Sequence, residues 1–181
     1  MFRKTLYFLS LVFLTFGCLN LTSCDDANDT TWEIYRDWRE YNQNWLIEQM
    51  TLTNPDGTQF YREITMPTDP QAKIYMHNIG DIHSENLTPL YTSTTTVNYT
   101  LKMANDSIVD QAAGFVSQLN SSGLISGWGL AIMQLHVGDS AQFILPYNVA
   151  YGSSGSTLMP PYSNLQFNIR LVDIDGYEIR P

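Results

Sequence analysis

Apolar residues along this chain fall into three regimes. Residues 5–17 form an almost unbroken apolar run, shorter than the roughly 20 residues a helix needs to cross a bilayer. From Trp32 to Thr51 the spacing becomes helical. Ile34, Trp38, Tyr41 and Trp45 recur with no Pro or Gly between them, and Thr30 with Glu33 is placed for a capping box. The pattern predicts a helix whose aromatic stripe packs on the protein's own body, because leaving it bare would expose an unusually large apolar patch. After Asn54-Pro55-Asp56-Gly57, a strong turn signal, residues 60–64 predict a short strand. Beyond the break at residues 67–70 the period shortens toward two. Residues 73–79, 91–102, 140–145 and 165–174 are rich in β-branched and aromatic residues and predict strands. Between the second and third of these, Ile132 to Leu135 with its neighbours predicts one short helix. The fold class is α+β: an antiparallel sheet curled around a short helix and preceded by an N-terminal helix.

Arg3 and Lys4 precede the first apolar run, and Leu21-Thr22-Ser23-Cys24 follows it. This layout is a targeting segment, and the last four residues resemble a bacterial lipobox, whose Cys is acylated and becomes the mature N-terminus. Residues 1–23 are read as a lipoprotein signal, Cys24 as the lipid anchor and residues 24–31, polar and acidic, as a tether. A plain secretory signal, or acylation of Cys18 instead, are the alternatives. Cleavage before Cys24 removes two basic residues and no acidic one, so the mature chain is more acidic than the −9 of the full sequence. Such a chain offers no basic face for nucleic acid. It would be held at the bilayer by acyl chains rather than by charge.

The usual catalytic constellations are missing. His77, His83 and His136 lack metal-ligand spacing, and no phosphate loop or nucleophile elbow occurs. What stands out is the density of apolar residues in segments expected to be loops: Trp128 between two glycines, Tyr147, Tyr151, and Leu158-Met159-Pro160-Pro161-Tyr162. Apolar loop residues that converge would line a pocket.

The run Gly127-Trp128, Ile132, Leu135, Val137-Gly138-Asp139, Ala150-Tyr151-Gly152 and Met159-Pro160-Pro161, with Leu165 and Phe167, resembles the signature of FKBP-type peptidyl-prolyl isomerases in order and spacing. Upstream, Thr96-Val97-Asn98-Tyr99-Thr100 resembles the family's central strand, and Val109-Asp110 falls where its Phe-Asp pair is expected. The resemblance covers residues 72–175, leaving 32–71 as a helical extension and 176–181 as a tail. It implies a half-wrapped sheet of five to six antiparallel strands with a helix across its concave face. It also implies catalytic residues Tyr99, Asp110, Phe115, Ile125, Trp128, Tyr151 and Phe167, with Val109, Leu124, Leu158 and Met159 binding substrate. Trp128 would be the floor under the proline ring. The Ile125 N–H and the Tyr151 hydroxyl would hold substrate carbonyls, and Leu158 and Met159 would sit at the tip of a flap.

No cofactor or metal is implied. The partners would be proline-containing segments of exported proteins in the bacterial envelope, and the pocket is of the kind that macrolide inhibitors enter. Four positions depart from the family pattern: Val109 for Phe, Gly123 for an acidic residue, Leu101 for a Gly, and a flap one residue shorter that carries Ser156. These departures leave a second reading open, a peptide-binding module or holdase with little or no turnover.

Overall fold

The computed structural model describes residues 31–176. The signal segment, Cys24, Thr30 of the expected capping box and the 177–181 tail lie outside the described residues.

Helix α1 (Arg36–Thr51) is followed by β1 (Arg62–Met66), β2 (Asp69–Ile79), β3 (Thr94–Met103), β4 (Ile108–Gln118), helix α2 (Ser126–Ile132), β5 (Ser140–Leu145), a 3-10 turn (Tyr147–Val149) and β6 (Leu165–Ile174). The strands form one antiparallel sheet in the order β1-β2-β5-β6-β3-β4. It is an open α+β sheet with β1 and β4 as its edges. The central strands alternate in burial because one face meets the core: Leu165, Phe167, Ile169 and Leu171 of β6 point inward, while Gln166, Asn168 and Arg170 do not. Phe143, Leu145, Val97, Ile74 and Leu165 are fully buried, each such side chain contributing about 1.5–3 kcal/mol by leaving water.

Helix α2 lies against this core with Leu130, Ala131 and Ile132 buried. Its glycines make the approach possible. A Cβ on Gly127 would stand 2.8 Å from Leu145 Cδ2 and 3.0 Å from Val149 O, and one on Gly129 would stand 3.1 Å from Leu119 O. The sequence expectation placed the helix at Ile132 to Leu135; it lies earlier, because the two glycines that look like breakers are what close packing requires.

Two further expectations are corrected. Strand β4 was not foreseen, and strands β1 and β2 begin at Arg62 and Asp69 rather than at 60 and 73, with Pro70 near the start of β2. The N-terminal helix is not continuous from Trp32. Residues 31–34 are helical, Tyr35 is a turn, and α1 starts at Arg36 with no side-chain cap. Past that break, Trp32 packs edge-on against Tyr162 at 5.4 Å while the Arg39 guanidinium covers its face at 3.1 Å. The aromatic stripe is only partly inward. Trp38 and Trp45 are half-buried, Ile34 is 70% exposed, and the residue at the centre of the buried face is Asn42.

Candidate active site

The concave face carries four aromatic rings that make five mutual contacts. The Trp128 centroid lies 5.3 Å from Tyr99, 5.9 Å from Phe115 and 5.5 Å from Phe167, and Tyr99 lies 5.6 Å from Phe115 and 6.1 Å from Phe167. Edge-on and tilted geometries prevail, as ring quadrupoles favour. Period-two alternation brings Tyr99 and Phe167 inward from β3 and β6.

Phe115 needs more than alternation. On β4, Ala112 opposes Tyr99 and Asp110 opposes Leu101, so residues 110 and 112 share the inner face; regular alternation would next select Gly114. A bulge opposite Asn98 shifts the register: Gly114 adopts φ +70 and donates its N–H to Asn98 Oδ1 at 2.8 Å, and Phe115 comes to oppose Val97 on the inner face.

The rings enclose a cleft of about 250 Å³ lined by Tyr99, Leu101, Asp110, Phe115, Gly123, Leu124, Ile125, Trp128, Tyr151 and Phe167. Trp128 is anchored by Nε1 donating to Ser117 Oγ at 3.3 Å. At the mouth, Tyr99 donates its hydroxyl to Asp110 Oδ2 at 2.6 Å, while Asp110 Oδ1 accepts the Gln111 N–H at 2.8 Å. Burial, and then the hydrogen bond and charge of Asp110, hold the Tyr99 phenol far above its ordinary pKa, so it remains a donor at any physiological pH. Burial and the charge of Asp110 also raise Tyr151. Ile125 is the N-cap of α2, and among the described residues its N–H finds no acceptor, leaving a donor free at the cleft.

All seven residues expected to be catalytic therefore line one cleft, together with Leu124. Three expected substrate-binding residues do not. Val109 is the extra residue of a second β4 bulge, where Lys102 opposes Ile108 and Leu101 opposes Asp110; it packs against the core edge outside the cleft. Leu158 is 64% exposed on the flap, and Met159 is buried in the main core. Linear order set these two side by side, but the turn closed by Ser156 N–H to Met159 O at 2.8 Å sends them apart. Leu101 and Gly123, noted in the sequence only as departures, line the cleft. A larger open groove of about 690 Å³ crosses the other face of the sheet among Asn98, Gln111, Ser140, Asn168 and Arg170. The aromatic cluster with its convergent donors lies in the smaller cleft, which is the stronger candidate.

Residues 87–172 match the family model described as FKBP-type peptidyl-prolyl cis-trans isomerase. The chain is 33% identical over 87 residues to FK506-binding protein 1A of Emericella nidulans, covering 45% of this chain and 81% of that protein. It is 32% identical over 84 residues to a macrophage infectivity potentiator of Trypanosoma cruzi, covering 44% of this chain but only 43% of that relative's length. Among solved structures, a peptidyl-prolyl cis-trans isomerase from Pseudomonas syringae superposes with a TM-score of 0.63 at 21% identity, covering 77% of this chain and 95% of that one. At that identity the superposition establishes the fold.

Proposed function

This chain belongs to the FKBP-type peptidyl-prolyl cis-trans isomerase family, and we propose that it accelerates X-Pro isomerisation in exported proteins while anchored to a bacterial envelope through acylated Cys24. The observation that carries the catalytic part is the aromatic cleft floored by Trp128, with the Tyr99–Asp110 pair and the free Ile125 N–H at its mouth.

Rotation about an X-Pro bond breaks no covalent bond. Its barrier of about 18–20 kcal/mol is amide resonance, so neither an acid nor a nucleophile is needed. The site has only to favour the twisted amide over the planar one. A water-poor aromatic wall does so by withholding the solvent hydrogen bonds that stabilise the planar, charge-separated form. The Ile125 N–H and the Tyr151 hydroxyl hold the flanking carbonyls. Asp110, fixed by Tyr99, presents its charge beside the rotating carbonyl. Each 1.36 kcal/mol of differential stabilisation gives about tenfold in rate. Exported clients would gain because uncatalysed isomerisation takes about 10–100 s.

The test is a peptide-isomerisation assay on the purified protein, followed by refolding of a proline-limited substrate and by a macrolide competition arm. Asp110→Ala is expected to lower kcat/KM about tenfold or more without shifting the melting temperature, since the Asp110 side chain is exposed and its removal leaves only the Tyr99 hydroxyl and the exposed Gln111 N–H to resolvate. Unchanged kcat/KM in that variant would remove Asp110 from the mechanism. A second reading, peptide capture with little turnover, is favoured by Leu101, whose side chain occupies cleft wall. Binding of a prolyl peptide without any acceleration would establish it.

The anchoring part rests on the residues around Cys24. Mass spectrometry of the protein from a bacterial membrane fraction is expected to show an acylated N-terminal Cys24. An unmodified residue there would overturn the anchor.

A further inference from the structure

Helix α1 lies outside the residues matched by the family model. Tyr41 of this helix donates its hydroxyl to Ala104 O at 3.3 Å in the β3–β4 turn, while its other hydrogen bonds to the domain, among the described residues, fall on the neck of the flap, residues 147–152 and 160–164. Asn164 donates its backbone N–H to Asn42 Oδ1 at 2.7 Å and its side-chain amide to Asn42 O at 2.8 Å. Its Oδ1 in turn accepts the Tyr147 N–H at 3.0 Å. Asn42 turns its own amide to Trp38 O at 2.9 Å. These two asparagines, 2% and 3% exposed, thus form a buried polar link, a kind that is costly unless satisfied and that specifies one arrangement when it is.

Beside it, Trp38 Nε1 donates to Ser163 Oγ at 3.0 Å, and Ser163 Oγ to Pro160 O at 2.7 Å. Tyr162, under the Trp32 ring, holds φ +63, a conformation that costs a non-glycine residue. Its N–H closes the neck on Gly152 O at 2.9 Å, and the Gly152 N–H bonds Tyr147 O at 2.8 Å. Tyr151, at the cleft rim, sits directly inside that closure.

We propose that Asn42 is a positioning residue for the isomerase site: through Asn164 and Tyr147 it fixes the neck of the flap and so the place of Tyr151, making the N-terminal extension a clamp on the catalytic cleft. This rests on the isomerase reading above. The clamp and the chemistry are separable by experiment.

Three full-length proteins are compared: the wild type, Asn42→Ala, and Ile74→Val as a control that loosens the fully buried core without removing a hydrogen bond. Amide hydrogen exchange is followed at Gly152, Gly155 and Tyr162, and kcat/KM is measured on a Leu-Pro tetrapeptide well below the melting transition. Asn42→Ala is expected to speed exchange in the flap at least tenfold and to lower kcat/KM about tenfold, a loss typical of a misplaced contact group, while Ile74→Val does neither. If Asn42→Ala matches Ile74→Val in either measurement, the positioning role is overturned. If the wild type does not isomerise the peptide, the isomerase reading fails; flap exchange and affinity for the same peptide then decide the clamp by the same criterion. Should Asn42→Ala not fold, Trp38→Phe, which removes the indole donor to Ser163 while keeping an aromatic ring against Tyr41, is judged by those readouts.

Discussion

Trp128→Ala is expected to lower the unfolding free energy by about 3–5 kcal/mol, the range for removing a buried large aromatic, and to abolish measurable binding of prolyl peptides. Trp128 is 4% exposed and touches the rings of Tyr99, Phe115 and Phe167. Its deletion opens a cavity under all three and strips the Ser117 hydroxyl of its donor. The cleft would fill with water, which restores the hydrogen bonds that favour the planar amide. Urea unfolding gives the first quantity and calorimetric titration with a Leu-Pro peptide at low denaturant gives the second. Trp128→Phe keeps most of the floor and is expected to retain the fold with intermediate affinity. Full peptide affinity in a folded Trp128→Ala protein would place the binding site elsewhere.

The second large effect lies away from the cleft, at Asp139. Its carboxylate is buried and accepts four hydrogen bonds: His83 N–H at 2.7 Å, His83 Nδ1 at 3.0 Å, His136 N–H at 2.9 Å and His136 Nδ1 at 2.9 Å. It pins the β2–β3 loop to the turn before β5, where Val137 N–H also bonds Leu87 O at 2.9 Å. Asp139→Ala would leave two backbone donors and two ring donors without their acceptor, and is expected to cost about 3–5 kcal/mol.

Burial opposes ionisation of Asp139, but the four hydrogen bonds outweigh it and hold the pKa well below the usual carboxylate range. A depressed folded pKa means that the contribution is complete above the unfolded value of about 3.9 and is lost as pH falls through the folded value. Either histidine can donate from Nδ1 whether neutral or protonated, so both contacts persist above that window. Urea midpoints measured from pH 6 down to pH 2 should therefore fall steeply below about pH 4 in the wild type, and less steeply in Asp139→Asn. Parallel profiles would show that Asp139 does not carry the acid sensitivity.

The expectations from sequence succeeded and failed along a physical line. Strands β5 and β6 have the expected bounds, 140–145 and 165–174, because central strands bury β-branched and aromatic residues whose alternation is visible without knowing the partner. Strand β4 was hidden. Its sequence IVDQAAGFVSQ is half-exposed, with a glycine and two alanines inside it, and its order comes from pairing with β3 rather than from propensity. His83 and His136 showed no pattern because their shared partner is the Asp139 carboxylate, reached by His83 across 56 positions, while His77 bonds Phe60 O instead. Asn42 carries no signal in the sequence, since its partner lies 122 positions away.

The chain by itself determined the α+β class and the two central strands through their apolar alternation, and its resemblance to the family signature implied which aromatic and acidic residues belong to the cleft. Only the tertiary structure decided which of those residues face the cleft. A bulge at Gly114 turns Phe115 inward, a second bulge takes Val109 out of the cleft, and one tight turn separates Leu158 from Met159. Facing is a parity that a single inserted residue reverses. Whether that residue is absorbed as a bulge is settled by pairing with a strand elsewhere in the chain.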